Sequence, residues 1–430
     1  MNITEAFIEG LISKANDIPQ HVIEQAKKCL LDYTGALIGG RKYVREVHPE
    51  LFNAFEDASP YHALVNGFSS HALELDDGHR HGMIHLGASI ITTVLEAAKV
   101  TAVPYEKLLC GIVMGYEVAV RCARALQPGH KIRGYHVSGT CGTIGSAMGV
   151  AFAYGYNKAQ LKSTLACAVS SAAGVLEIQE EASEMKPYNV GRAAMDGLVA
   201  AMMGRLALPG PDDILGGKRG FLAALTDTPH PEMLNDFTNE DYAIEGIYQK
   251  VHAACRHCHP AIDATLDLRH DLRLELSDVD RIEVHTYKLA VGSHEHIDIK
   301  GISSAKLSTP FAVALALVKG SAGYADYSEN NLDDYWIKNI TRKVKVTEDE
   351  ELTQRSPAVR GARVTLYLKN GGEFEAPCLY PKGEPENPLT NKELEDKFKG
   401  LALYGGWTEH KCNSVILSIW DGSFTIESLI

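Results

Sequence analysis

The chain has 430 residues, 45% of them hydrophobic and 23% charged, with 42 Lys and Arg against 55 Asp and Glu and a formal net charge of −13. Those proportions describe an ordinary globular protein of two or three domains and exclude a disordered, collagen-like or supercharged chain. The acidic balance leaves no cationic surplus to neutralise phosphates, so a nucleic acid or an anionic membrane is not expected as a partner and a small-molecule ligand is.

The chain opens with Ile3, Phe7, Leu11 and Ile12 at helical intervals and Glu5 and Glu9 between them, the pattern of a folded helix rather than a signal sequence. Residues 21–37 place Val22, Ile23, Ala26, Cys29, Leu30, Tyr33 and Leu37 on one helical face, and Gly39-Gly40 reads as its stop. Helical patterns continue over 88–100, 106–125, 139–154, 158–173 and 191–206. Their Ala, Gly and Ser content allows close helix approach, so residues 1–270 read as an all-helical bundle. No apolar window reaches the roughly 20 residues of a bilayer span. Nine cysteines, an odd number scattered along the chain, read as reduced thiols in a cytoplasm.

The texture changes near 275. Residues 281–287, 342–346 and 363–368 alternate polar and apolar side chains, and Asn370-Gly371-Gly372 turns the last of these into 373–376 as a β-hairpin. Helical patterns at 308–318 and 331–339 lie between the strands, which makes a small α+β unit, and 390–403 and 409–429 are helical again. The expected architecture is mainly α: a large helical domain over 1–270, joined by about 404–430, and a smaller α+β lid over 275–400.

Four clusters could carry chemistry. His71, Glu74, Asp76, Asp77, His79, His81 and His85 put acid/base groups just before a helix starting near Ala88, which suits proton transfer or a metal, although no standard ligand spacing is met and a solvated polar loop is the plain alternative. Residues 134–145 are glycine-rich but lack a Walker motif and a preceding strand; Ser138 or Thr140 reads as a helix N-cap with His136 at its mouth, or as a structural histidine. Lys186 and Arg192 flank another small-residue helix start and could hold a carboxylate, or could be a surface pair. Cys255, Arg256, His257, Cys258 and His259 satisfy C-x-x-C-H, a haem or zinc pattern. Haem attachment needs export and zinc a second ligand pair, which leaves His257 and His259 ahead of a helix with Pro260 in its first turn, so that His259 is expected to face a cleft.

At these residues the sequence resembles the MmgE/PrpD family: Glu-Leu-Asp-Asp-Gly-His at 74–79 with His85-x-Gly-Ala, Gly-Tyr-Glu-Val at 115–118, Gly-Tyr-His and Gly-Thr-x-Gly-Ser-Ala within 134–147, Lys186 with Gly-Arg-Ala-Ala at 191–194, Gly220-Phe221, and Cys-x-His-x-His-x-x-Ile-Asp-Ala at 255–264. The resemblance implies a helical domain plus an α+β lid, a homodimer, an active site in the cleft, and active-site roles for Glu74, Asp77, His85, His136, Lys186 and His259. It reads the C-x-x-C-H stretch as a variant of the family's Cys-Gly-His-Thr-His segment. Glu74 stands where many relatives have Asp, Gly78 where dehydratases and decarboxylases commonly have Thr, and Leu86 where His-Pro is usual.

The expectation is therefore a cytoplasmic lyase, a dehydratase or decarboxylase with no cofactor and no metal, acting on a small di- or tricarboxylic acid. Lys186, Arg192 and His257 are expected to bind substrate; His136, His85 and His259 to act as acid/base or oxyanion-stabilising groups; and Asp77 or Glu74 to orient a histidine or act as base. An epimerase of an iminodisuccinate-like dicarboxylate, with bases from the 136 and 259 segments, is the second expectation. A metal- or haem-binding protein through Cys255, Cys258 and His259 is a third.

Overall fold

The computed structural model describes residues 1–49, 59–180, 183–238, 241–272, 275–292 and 294–429. Residues 50–58, 181–182 and 239–240, within the stretch read as helical, lie outside the described residues. The protein is mainly α. Its first layer is built from α1 (Ile3–Asn16), α2 (Gln20–Val47), α3 (Ser59–Ala72), α4 (Gly87–Val100), α5 (Tyr105–Leu126), α6 (Val137–Ala153), α7 (Lys158–Ser171) and α8 (Lys186–Gly204). Among the described residues, no helix is long and apolar enough to cross a membrane.

Helix α6 is the hub. Its sequence is small or apolar on every side, and all 17 of its residues are buried against α4, α5, α7 and α8. Backbones touch where it crosses α5: a Cβ on Gly149 would stand 2.9 Å from the Gly111 carbonyl oxygen, and one on Gly145 2.7 Å from that of Gly115. The same device corrects one sequence expectation. Gly39 and Gly40 do not stop α2, which runs on to Val47, because a Cβ at Gly40 would lie 1.8 Å from the Ser69 carbonyl oxygen of α3. Gly40 is a point of helix contact rather than a cap. Helix α6 likewise begins at Val137 with no side-chain cap, since Ser138 Oγ instead accepts from the His85 backbone N–H at 3.0 Å.

The stretch read as all-helical also holds a two-stranded antiparallel ribbon, β1 (Gly78–His79) with β2 (Ile247–Tyr248), pairing Gly78 with Tyr248. The second unit carries β3 (Val279–Thr286), β4 (Val344–Glu348), β5 (Ala362–Leu368) and β6 (Glu373–Cys378) in the order β4-β3-β5-β6. Strand β3 runs parallel to β4 and antiparallel to β5, and the β5–β6 hairpin turns at Gly371 in the left-handed region, φ +89. On its inner face Ile282, Val284, Val364 and Leu366 pack with Ala261, Ile262 and Leu268 of α9 (His259–Asp271) and Phe311 and Leu315 of α10 (Thr309–Lys319). Helix α9 thus belongs to the second core, although its sequence reads as the end of the helical stretch.

The chain then returns. Leu394 and Phe398 of α11 (Asn391–Tyr404) and Cys412 and Ile416 of α12 (Glu409–Asp421) join the first core, so α11 packs on α2 rather than with the sheet. Replacing Gly149 by Val should lower unfolding free energy by about 1–3 kcal/mol or more through overpacking. A urea melt checks this, and an unchanged midpoint would refute the claim that the α5–α6 contact is close-packed.

Candidate active site

Three helix starts converge on one cavity of about 410 Å3 between the two units. His85 precedes α4, His136 precedes α6, and Lys186 opens α8; all three line the cavity, so each side chain stands where helix N–H groups favour an anion. The second unit supplies the opposite wall with Cys255, Arg256, His257, His294 and Arg360.

Beneath the cavity lies a buried charge cluster. The Glu74 carboxylate is held by Lys186 Nζ on one oxygen and by Lys250 Nζ at 2.7 Å on the other. Burial alone would raise this carboxyl, but the two lysines override it and hold it well below the usual carboxylate range. Asp76 accepts from His71 Nδ1 at 2.8 Å and lies 3.3 Å from His85 Nδ1. Its carboxyl is also held well below the ordinary value, burial being outweighed by His71, His85 and Lys250.

The hydrogen bonds give the two cavity histidines opposite faces. His85 Nδ1 lies 2.9 Å from the Asp77 carbonyl oxygen, which can only accept; Nδ1 therefore carries the proton and Nε2 the lone pair. Asn189 Nδ2 donates to the Val175 carbonyl at 3.2 Å, which sets the amide orientation, and also to His136 Nδ1 at 3.1 Å. His136 therefore keeps its proton on Nε2. Burial lowers the pKa of both rings, with Asp76 opposing at His85 and Lys186 reinforcing at His136, so both are neutral near pH 7. One offers a base and the other an acid.

Three expected residues lie elsewhere. Arg192 is turned away from the cavity onto Asp196 and the Ser171 and Ala173 carbonyls. His259 is fully buried, with Nε2 3.2 Å from the Ala254 carbonyl, and does not face the cleft; packing of α9 on the sheet carries it inward. The Asp77 side chain does not orient a histidine: it accepts from the Gly87 N–H at 2.8 Å and the Tyr116 hydroxyl at 2.6 Å, tying the start of α4 to α5. The orienting groups are its carbonyl and the Asp76 carboxylate. His257 does line the cavity, bonded through Nδ1 to the Tyr287 hydroxyl. Sequence reasoning left Asp76 without a role, although it stands inside the quoted cluster, and missed Lys250, whose segment carries no signal. It also missed Lys131, Arg360 and His294.

Gly78 has a steric reason. A Cβ there would meet the Tyr248 hydroxyl at 2.4 Å, and Tyr248 lines the cavity, so a phenol occupies the space in which a threonine would stand. The C-x-x-C-H stretch is not assembled for haem or zinc: Cys258 is buried with Sγ 3.5 Å from Thr309 Oγ1, while Cys255 faces the cavity. Among the described residues two sets bring metal-type donors within 4.8 Å of one another, Cys255 with His257 and His294, and His71 with Asp76 and His85. Lys250 lies 3.8 Å from Asp76, and Lys131, Arg360 and Lys186 act on His257, so both sets face cations that oppose a metal dication.

Comparison with known proteins agrees with this architecture. Residues 7–234 match the MmgE/PrpD N-terminal domain and 252–421 the MmgE/PrpD C-terminal domain. The chain belongs to the MmgE/PrpD family. It is 23% identical to the cis-aconitate decarboxylase of Homo sapiens, covering 100% of this chain and 90% of the relative. Identity to the cis-aconitate decarboxylase of Aspergillus terreus is 24%, over 90% of this chain and 86% of that one. A fungal alkylcitrate dehydratase, phiI, is 25% identical over 51% of this chain and 46% of its own. These relatives are lyases.

Burial raises the Asp77 carboxyl to about 7, against the opposing bonds from Tyr116 and Gly87. Its folded pKa lies above the unfolded value of about 4, so its contribution to stability is full below about pH 4 and is lost as pH rises to about 7. The margin in melting temperature of the wild type over Asp77→Asn should therefore shrink between those limits. A margin that widens with pH would contradict a protonated Asp77 in the folded state.

Proposed function

We propose that this protein is a lyase, a dehydratase or decarboxylase without a bound cofactor, that transfers a proton at a carbon next to a carboxylate in a small di- or tricarboxylic acid. One observation carries the reading. Lys131 and Arg360 line the cavity, Arg360 is buried and bonded to the Arg80 carbonyl, and among the described residues neither has a carboxylate within ion-pair distance. A buried and a half-buried cation facing one cavity without counter-ions call for an anionic ligand. Lys186 adds a third, its partner Glu74 already shared with Lys250.

In this reading Lys186, Lys131 and Arg360 hold the carboxylates and stabilise the charge that spreads onto them as the neighbouring C–H bond breaks. In a dehydration His85 Nε2 takes the C–H proton and the His136 Nε2–H passes to the departing hydroxyl, His136 regaining its proton from the His85 imidazolium. In a decarboxylation no C–H bond breaks; CO2 departs instead, and the His136 Nε2–H passes to the carbanion and is replaced from water. The Tyr248 hydroxyl, its pKa raised by burial, stays a neutral donor beside the substrate. What the relatives are named for supports either outcome at the level of the lyase class.

An epimerase remains the second reading, because His136 of one unit and His257 of the other line the same cavity and could address opposite faces of one carbon. Proton NMR in D2O with cis-aconitate, 2-methylcitrate, citrate and iminodisuccinate separates them. Loss of water or CO2 is expected; deuterium uptake without net loss would replace the lyase by the epimerase.

His136→Ala and Lys186→Ala should each reduce kcat/KM about a hundredfold or more, the scale of a lost general acid or charge anchor. Circular dichroism serves as the check on folding, and near-normal turnover in both variants would sink the site. Because burial lowers the His85 pKa, the acid limb of the kcat/KM profile should fall below the ordinary imidazole value of 6.5. A limb above that value would mean that His85 is not the base.

A further inference from the structure

The acid/base pair above leaves one reactive group of the cavity unused. Cys255 Sγ lies 3.8 Å from His294 Nε2, and the Leu307 carbonyl accepts from His294 Nδ1 at 2.8 Å. That carbonyl fixes the tautomer, so the neutral ring turns its Nε2 lone pair to the thiol. A nucleophile, a base and a group that orients the base are thereby lined up, and both Cys255 and His294 line the cavity. The ring of His257 stacks on that of His294, centroids 4.9 Å apart, and holds it in plane. The surrounding charge decides between a metal ligand and a nucleophile: Lys131, Lys186 and Arg360 act on this corner, opposing a dication and favouring an anionic sulfur. Burial pushes the Cys255 thiol up, but His294 and Lys186 pull it down to about 6. Cys258 lacks these neighbours at bonding distance, and burial holds its thiol high.

We propose that Cys255 is a nucleophile that captures α,β-unsaturated carboxylates in the cavity as a thioether, with His294 relaying the proton. His294 Nε2 takes the thiol proton and sulfur adds to the β-carbon of the alkene. The π electron pair moves to the α-carbon, which recovers the proton from the His294 imidazolium. The S–H bond and the C=C π bond are lost, C–S and C–H bonds form, and neither an oxidant nor a leaving group is needed. The choice of acceptor rests on the proposed function, because loss of water or CO2 from a polycarboxylate leaves an alkene conjugated to a carboxylate. Captured product plugs the cavity, which makes the pair a brake on turnover.

The test incubates the full chain at neutral pH with maleate and, in parallel, with uncharged N-ethylmaleimide, followed by peptide mass spectrometry. Both reagents are expected to label Cys255 before the other cysteines, His294→Ala to slow labelling by about tenfold or more, and Cys255→Ser to remove that adduct. Labelling that is equally fast in His294→Ala, or absent with both reagents, overturns the nucleophile and leaves the proposed lyase reaction untouched. Labelling by N-ethylmaleimide but not by maleate overturns capture of carboxylates and leaves the proposed lyase reaction, which the D2O experiment tests, untouched.

Discussion

The Glu74 carboxylate, clamped between two ammonium groups, is the interaction on which the site depends. Lys186 comes from the start of α8 and Lys250 from the segment after β2, so one carboxylate ties together two stretches far apart in sequence. Breaking a buried pair from one side strands the partner charge, at a cost of about 3–5 kcal/mol. Glu74 also sits in the left-handed region, φ +56, a conformation that a non-glycine residue keeps only when its surroundings hold it there. The clamp supplies that hold, and it sets the direction in which Asp76 and Asp77 leave the turn.

A second dependence links Gly78 with Tyr248. The missing side chain at 78 and the phenol at 248 share one volume across the β1–β2 ribbon, so neither position can change without the other. A hydroxyl still faces the substrate space, but it now arrives from the opposite strand and on a longer, rigid ring. The departures that the sequence displays at 74 and 78 are therefore matched by partners at 250 and 248, which are themselves only two positions apart in the chain. This pairing alters the lining of the cavity without displacing His85 or His136.

Much of this was legible in the sequence, and the reasons divide cleanly. The small-residue texture of α6, the helix starts beside His85, His136 and Lys186, and the Asn370-Gly371-Gly372 hairpin are local signals, and local physics delivered them. What failed were readings that depend on the direction a residue takes after packing. Gly40 resembles a cap until another helix lies across it. Arg192 and Lys186 look alike beside one helix start, yet six residues along α8 carry Arg192 to another face. His259 follows His257 by two positions and points into the core, because helix α9 must bury its apolar side on the sheet. Lys250 had no motif around it, since a lysine paired with a distant carboxylate leaves no mark in its own neighbourhood.

The end of the chain closes the arrangement. Lys397 of α11 binds Asp32 of α2 at 2.6 Å and donates at 2.8 Å to the carbonyl of Leu75, the residue between Glu74 and Asp76. That last bond spans 322 positions of sequence. During synthesis the acidic turn is made 322 residues before the lysine that braces it, so this bond forms only after the intervening chain of both units has been made. Long-range closure of this kind is slow and exposes unfinished surface meanwhile. Loss of α11 would then show itself first as an inactive but largely helical protein, since the strut serves the turn more directly than it serves the α5–α6 hub.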